Sequence, residues 1–389
     1  MKSQQTSYLS KTVEDLQPSG IRKFFDLASQ MENVISLGVG EPDFVTPWNV
    51  IEASYHSLER GLTAYTANAG LLELREEISK YLHVNHHVDY DPKTQVLVTV
   101  GASQAIDLAL RAIVNPGDEI IVVEPGFVSY APAVRLAGGK PVIINTTPET
   151  AFKLQPEQLQ KAITPRTKAV MLCNPNNPTG TYLSKSDLDQ IGEVIEKHDL
   201  LVLSDEIYAE LTYDDTYTSV PTIKGMMERT ILISGFSKAF AMTGWRLGYT
   251  TGPKSIIEAM TKIHQYTMMC APTMAQHGAI EALKNGGKSV SDMKQSYRQR
   301  RNFVVDGLKK AGLSCDLPGG AFYVFPSIAS TGLSSEQFAE QLLYQERVAV
   351  VPGNVFGETG EGYVRCSYAA SLKQLDEAMK RIKRFVEQL

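Results

Sequence analysis

Five short apolar runs, TQVLVTV (94–100), IIVVEP (120–125), KAVMLC (168–173), LLVLSD (200–205) and TILISG (230–235), are separated by stretches of helical character. This alternation constrains the fold more than any other feature of the chain. In GASQAIDLALRAIV (101–114), Ile106, Leu110 and Ile113 recur at helical spacing. SKSDLDQIGEVIEKHD (184–199) reads as a second helix, with Ser184 or Ser186 as its N-cap. NPGDE (115–119) has turn chemistry between helix and strand. Strands apolar throughout and alternating with helices predict a mainly parallel sheet covered on both faces, an α/β fold.

The last third follows another pattern. SDMKQSYRQRRNFVVDGLKKAG (291–312) reads as a long charged helix, then GGAFYVFPS, RVAVVPG and GYVRCSYA as strands, and SLKQLDEAMKRIKRFVEQL as a closing helix. At 389 residues the chain is long for one core. The expectation is a large domain over 45–285 and a smaller α+β domain built from 286–389 with the N-terminal segment 1–44. The composition, 43% hydrophobic and 21% charged, is ordinary for a globular protein. A net charge of −5 argues against nucleic acid or an anionic membrane as partner. No window reaches the roughly 18 continuous apolar residues of a membrane helix. The polar start lacks a signal-peptide core, and Cys173, Cys270, Cys315 and Cys366 lie far apart with no CxxC pair. Reduced thiols, no metal site and a cytoplasmic location follow as expectations.

In open α/β sheets, ligands sit beyond the carboxyl ends of the strands. Three successive strands here deliver NPNNPTG (174–180), DEIY (205–208) and GFSK (235–238) to one rim. An Asp after a strand is commonly a helix cap, and each feature alone says little. Together, in this order, they match the needs of pyridoxal 5′-phosphate (PLP): a lysine for its aldehyde, a carboxylate against its pyridine nitrogen and donors to its phenolate oxygen. The phosphate needs its own place. Gly101 permits a tight turn, a helix beginning near Ala102 and Ser103 aims free N–H groups at an anion, and Arg246 adds a forked cation.

SGFSKAFAMTGWRLG (234–248), which reads as a lysine, a helix-like stretch and then an arginine behind a strand, resembles the lysine signature of class I/II aminotransferases of PLP fold type I, and NPNNPTG, SDEIY and VRCSYA fall where that family has them. The resemblance covers essentially the whole chain. It implies a large domain with a mostly parallel central sheet flanked by helices, plus a smaller α+β domain. By the same resemblance Lys238 is the lysine bonded to the cofactor, Asp205 the pyridinium partner, and Tyr208 and Asn177 the donors to the phenolate oxygen. Arg246, Ser103, Ala102 and Gly101 form the phosphate site. Phe127 stacks on the ring, Arg365 forks onto the substrate's α-carboxylate and Gly40 lies beside the substrate. Tyr65 resembles a tyrosine that reaches the phosphate of the neighbouring subunit, which implies a homodimer with shared active sites.

Two departures from the family pattern stand out. Gly235 occupies a position where many aspartate-type members have a phosphate-binding serine, leaving Ser237 or Ser234 as substitutes. Ser103 stands where aspartate-specific relatives can carry a lysine. The implied activity is transfer of an amino group from an L-amino acid to a 2-oxo acid such as 2-oxoglutarate, in amino-acid biosynthesis. SGIRKF, LTYD and GAFYVFPSI, among other stretches, resemble bacillary aminotransferases for N-acetyl-L,L-diaminopimelate. Aspartate or aromatic aminotransfer, and a cysteine-conjugate C–S β-lyase on the same fold, are the alternatives.

Other features carry less. HVNHH (83–87) lacks the acidic or Cys partners of a metal site and reads as a solvated helix end. RQRR (298–301) reads as the wet face of a helix. YTMMCAP (266–272) fits a substrate pocket or ordinary core equally, and Trp245 reads as core filling.

Overall fold

The computed structural model describes residues 8–18 and 20–389, without the side chains of 22–26. Its centre is a seven-stranded sheet. In chain order the strands are β1 (Val96–Thr99), β2 (Glu119–Glu124), β3 (Lys140–Asn145), β4 (Thr167–Cys173), β5 (Leu201–Asp205), β6 (Thr230–Gly235) and β7 (Gly248–Thr251). The spatial order is β1-β7-β6-β5-β4-β2-β3, and only β7 runs against the others. The five apolar runs are all strands of this sheet, as expected. The strand β7, GYTT, was not foreseen; four residues following a tight turn carry no periodicity, yet all four are buried.

Helices used below are α1 (Leu72–His86), α2 (Gly101–Ile113), α3 (Lys185–Lys197), α4 (Gly287–Lys310) and α5 (Leu372–Glu387). Ile106, Leu110 and Ile113 of α2 are buried, as their spacing predicted. Each such side chain contributes about 2 kcal/mol of transfer free energy toward docking the helix on the sheet. Of the two candidate caps of α3, Ser184 fills the role: its hydroxyl accepts from the Asp187 N–H, and Asp187 reaches back to the Ser184 N–H.

The C-terminal strands form a separate antiparallel sheet of β8 (Tyr323–Val324), β9 (Val351–Pro352) and β10 (Val364–Ser367), in the order β9-β10-β8. A core of its own, including Val304, Leu308, Phe338, Ile382 and Phe385, lies between this sheet and α4 and α5. Tyr208 and Leu211 from the end of β5 belong to the same core, so it is fused to the rim of the large sheet. Ile35–Ser36 pair in parallel with Val348–Ala349. Among the described residues no helix is long and apolar enough to cross a membrane.

Three local readings need correction. His86 of HVNHH is not solvated: it is buried, with Nε2 2.8 Å from Glu210 Oε1. Burial opposes its charged form, but the hydrogen bond and charge of Glu210 outweigh that and raise its pKa. RQRR is wet only at Arg298 and Gln299. Arg300 grips Asp43 at 2.7 Å, and Arg301, 2% exposed, reaches Asp214 Oδ2 at 2.6 Å and the Pro318 carbonyl at 2.9 Å. Nothing in the local charge pattern distinguishes these two arginines from solvated ones; their partners lie far away in sequence. Finally, the chain after Lys238 is a series of turns rather than helix, with Ala241 and Arg246 at φ 51° and 52°.

Removing a buried, paired cation strands its partners. Arg301→Ala is expected to lower unfolding free energy by about 3 kcal/mol in urea titration. Arg298→Ala, which removes a 56% exposed partner of the same Asp214, should cost less than about 1 kcal/mol. Equal effects would refute the distinction.

Candidate active site

Strands β4, β5 and β6 end side by side, Cys173 opposite Asp205 and Asp205 opposite Ile233. The segments leaving these ends, the first turn of α2 and residues 39–41 enclose a cavity of about 580 Å³. Gly40, Ala102, Ser103, Phe127, Asn177, Asp205, Tyr208, Ser237, Lys238, Arg246 and Arg365 all line it. Gly101 is not among the lining residues, but it adjoins Ala102 and lies against the Arg246 guanidinium. Tyr65 is not among the lining residues and is 78% exposed. YTMMCAP lines no part of the cavity; Tyr266, Met268 and Met269 are exposed, and Ala271 alone of the segment belongs to a core cluster. Trp245 is partly buried, packs against a core cluster and donates to Thr46 Oγ1 at 3.0 Å.

Lys238 leaves the end of β6 and donates from Nζ to the Gly40 carbonyl at 2.6 Å. Burial lowers its pKa to about 8; Glu41 and Asp205 oppose the shift, while Arg365 and Arg246 add to it. An amine so placed is neutral in a sizeable fraction near pH 8 and is competent as nucleophile and base. Asp205 is buried at the end of β5. Its Oδ2 accepts from the Tyr130 hydroxyl at 2.7 Å and its Oδ1 from the Ile207 N–H at 3.2 Å. Burial nevertheless raises its pKa to about 6, against those two hydrogen bonds. A carboxylate so desolvated is completed by a cation brought to it.

Arg365, on β10, is buried with its guanidinium over the rings of Tyr323 (4.4 Å) and Phe356 (4.9 Å). Nη1 donates to Asn177 Oδ1 at 2.8 Å and Nη2 to the Gly38 carbonyl at 2.7 Å, while Nε is buried without a partner. Because Asn177 Oδ1 accepts from an arginine, its Nδ2 is the end that remains to donate to a ligand. The Tyr208 hydroxyl lies 3.0 Å from that of Tyr323.

The proposed anion site is built by close backbone approach. Gly101 has φ +79°, and a Cβ there would sit 2.7 Å from Arg246 Nη2. A Cβ on Gly248 would fall 2.6 Å from the Gly101 carbonyl carbon. No side chain caps α2, so its first N–H groups face outward at the positive end of the helix. α2 begins at Gly101, one residue earlier than the sequence suggested. Gly235 pairs with Gly248, and a Cβ on it would come within 2.8 Å of the Gly248 Cα. A serine has no room there. Ser237 lines the cavity, whereas Ser234 turns to the Glu206 carbonyl.

Sequence reasoning missed Tyr130, Tyr323, Cys173 and Glu41 as lining residues. Tyr130 sits in EPGFVSY beside the predicted Phe127, and the two rings pack edge-on at 5.5 Å. Tyr323 lies in the quoted GGAFYVFPS. Neither has a local signal, since each acts on a residue far along the chain.

The donor set fits PLP on this structure's own evidence: a desolvated carboxylate, a buried amine of lowered pKa, an uncapped helix start beside an arginine, and a buried Arg365 nitrogen without partner. The Asp205 carboxyl also makes a prediction. An unfolded aspartate ionises near 3.8 and the folded one near 6. Between those values the unfolded chain has already released the proton that the folded chain keeps, so stability of the cofactor-free protein falls as pH rises through this window. Asp205→Asn is therefore expected to stabilise the cofactor-free chain at pH 8 by about 2 kcal/mol while weakening PLP retention. Thermal unfolding at pH 4.5 and 8 would overturn this if the variant were less stable at the higher pH.

Residues 32–382 match the family described as Aminotransferase class I and II. The chain is 62% identical over 381 residues to YugH of Bacillus subtilis (strain 168), named as an aminotransferase with no substrate, covering 98% of this chain and 99% of that one. It is 46% identical to an aspartate aminotransferase of Pyrococcus abyssi (strain GE5 / Orsay), covering 98% of both. The crystal structure of an aromatic aminotransferase from Pyrococcus horikoshii OT3 superposes with a TM-score of 0.90 at 46% identity, over 95% of this chain and 99% of that one. The chain belongs to the class I and II aminotransferases and is a PLP-dependent enzyme of fold type I.

Proposed function

We propose that the donor is an L-α-amino acid with an uncharged side chain and that the acceptor is a 2-oxo acid. One observation carries this reading. Among the described residues the cavity lining holds three cations, Lys238, Arg246 and Arg365, and the mechanism commits all three. The lining left for a donor side chain is apolar at Ile21, Val39 and Ile106 and acidic at Glu41. A distal carboxylate, as in aspartate or N-acetyl-L,L-diaminopimelate, would meet no spare cation among the described lining residues and would face Glu41. Relatives of equal identity named for aspartate and aromatic substrates show that similarity alone does not choose. The charge of the described lining supports an uncharged donor.

Bound PLP supplies the electron sink that allows the Cα–H bond of the amino acid to break. The chain's residues supply the rest. Asp205 would hold the pyridine nitrogen as a cation. Tyr208 and Asn177 Nδ2 would donate to the phenolate oxygen. The first turn of α2, Arg246 and Ser237 would hold the phosphate, with Phe127 against the ring. Arg365 would fork onto the α-carboxylate with N–H groups that Asn177 and Gly38 leave free, Nε–H among them. Lys238 Nζ would take the proton from Cα, its neutral form favoured by the burial that lowers its pKa. Gly40 stays small because a Cβ there would lie 2.6 Å from the Tyr323 hydroxyl.

A second copy of the chain completes the assembly in this reading. The Tyr65 loop is tied to the 269–273 segment by Asn68 to the Met269 carbonyl and Thr273 to the Ala64 carbonyl. This region exposes Tyr65, Tyr266, Met268 and Met269, an apolar surface suited to a twofold contact.

The test is a visible spectrum of the PLP-loaded protein as single amino acids are added. Uncharged donors such as phenylalanine, leucine or alanine should bleach the band at least about tenfold faster than aspartate or N-acetyl-L,L-diaminopimelate. A 2-oxo acid should restore it, with uncharged 2-oxo acids competing well against 2-oxoglutarate. Fastest bleaching by a dicarboxylic donor would refute the uncharged-donor reading, and Lys238→Ala with normal turnover would refute the site. Sedimentation equilibrium should give twice the chain mass; a monomer with full activity would remove Tyr65 from the site.

A further inference from the structure

We propose that Tyr323 is a positioning residue that ties the carboxylate anchor to the cofactor-facing hydroxyl. The inference rests on the site reading above and concerns a side chain that no motif singled out.

Tyr323 is 1% exposed and lies on β8, whose backbone pairs with β10, the strand carrying Arg365. Its ring centroid lies 4.4 Å from the Arg365 guanidinium, and that of Phe356 lies 4.9 Å from it. A guanidinium resting on aromatic rings holds its plane. Arg365 needs that plane held, because Asn177 and Gly38 each accept one of its five N–H groups and the Nε–H, buried without a partner, is left to fork onto a carboxylate. The ring of Tyr323 therefore acts as the shelf that keeps Arg365 from tilting as the carboxylate docks.

The hydroxyl has a separate task. It lies 3.0 Å from the Tyr208 hydroxyl, and either oxygen can be the donor. Burial raises both phenols' pKa, so both keep their protons near neutrality. If Tyr208 is to donate its one proton to the ligand, Tyr323 must be the donor within the pair. The Tyr323 proton thus fixes which way the Tyr208 hydroxyl points and, through the chain of hydrogen bonds, strengthens it as a donor. The same hydroxyl fills the space over Gly40, whose carbonyl accepts from Lys238. One side chain touches the settings of Arg365, Tyr208 and Gly40 without bonding the reacting atoms.

The two tasks separate by substitution. Tyr323→Phe keeps the shelf and loses the proton. It is expected to lower kcat about tenfold, to leave the donor KM within about twofold, and to shift the pH midpoint of the bound cofactor's visible band by at least about half a pH unit. Tyr323→Leu loses the shelf, and the KM values for donor and acceptor should rise about tenfold. PLP affinity from equilibrium dialysis should weaken in Tyr323→Phe, because one donor to the phenolate oxygen is misdirected. A Tyr323→Phe protein with wild-type band midpoint and kcat would overturn the proposal. So would one whose only change is a lower melting temperature, or a Tyr323→Leu protein with unchanged KM. Failure of the underlying site reading is a different result: the unmodified protein would develop no visible band with PLP.

Discussion

The site depends on one steric constraint, the contact of β7 with the start of α2. Gly248 approaches the Gly101 carbonyl carbon so closely that any side chain at 248 would collide, and Gly235 lies against Gly248 from the other side. This meeting of three glycines lets the strand that follows Arg246 run beneath the N-terminus of the helix. Arg246, at φ 52°, then presents its guanidinium beside the uncapped N–H groups. A larger residue at any of the three positions would separate the cation from the helix end, and the two halves of an anion site would no longer face one ligand. The conformational entropy that glycine loses on folding is offset by this shared geometry.

Around that contact the electrostatics are arranged as an unfinished set. Burial pushes Asp205 up and Lys238 down, so each is driven toward its neutral form. Burying charges without partners is costly, and the fold tolerates it because each group has neutral hydrogen bonds in reserve: Tyr130 and Ile207 for the acid, Gly40 for the amine, Asn177 and Gly38 for Arg365. The strain is relieved by a ligand that is cationic at one end of its ring, an aldehyde at another and anionic in its tail. The order and charge of these groups along the rim select PLP more narrowly than the shape of the cavity does.

Much of this was legible in the sequence, for a physical reason. The sheet strands are continuous apolar runs, and residues at strand ends have their position fixed by the backbone alone. Lys238, Asp205 and Asn177 therefore announced themselves by where they stood. Arg301, His86, Tyr130 and Tyr323 did not, because each is defined by a partner tens to hundreds of residues away. An arginine beside three other polar residues looks solvated until Asp214 and Pro318 are folded against it. A helix-terminal histidine looks wet until Glu210 arrives. β7 was missed because its four residues are held by pairing on both sides rather than by any pattern of their own.

Substrate choice belongs to the illegible part, and its cause is more specific than distance. The motifs encode the cofactor and the α-carboxylate anchor, which every member of such a family needs, whereas the donor's side chain meets whatever is left over. Here the leftover is Ile21, Val39, Ile106 and Glu41, scattered over three segments, none of them a motif. Ser103, on the first turn of α2, lines the same cavity with a hydroxyl and brings no charge. In the proposed reading, discrimination between donors rests on the described lining holding no fourth cation. An uncharged side chain needs only an apolar wall, and a carboxylate without a partner in a partly dry cavity costs several kcal/mol in effective solvation.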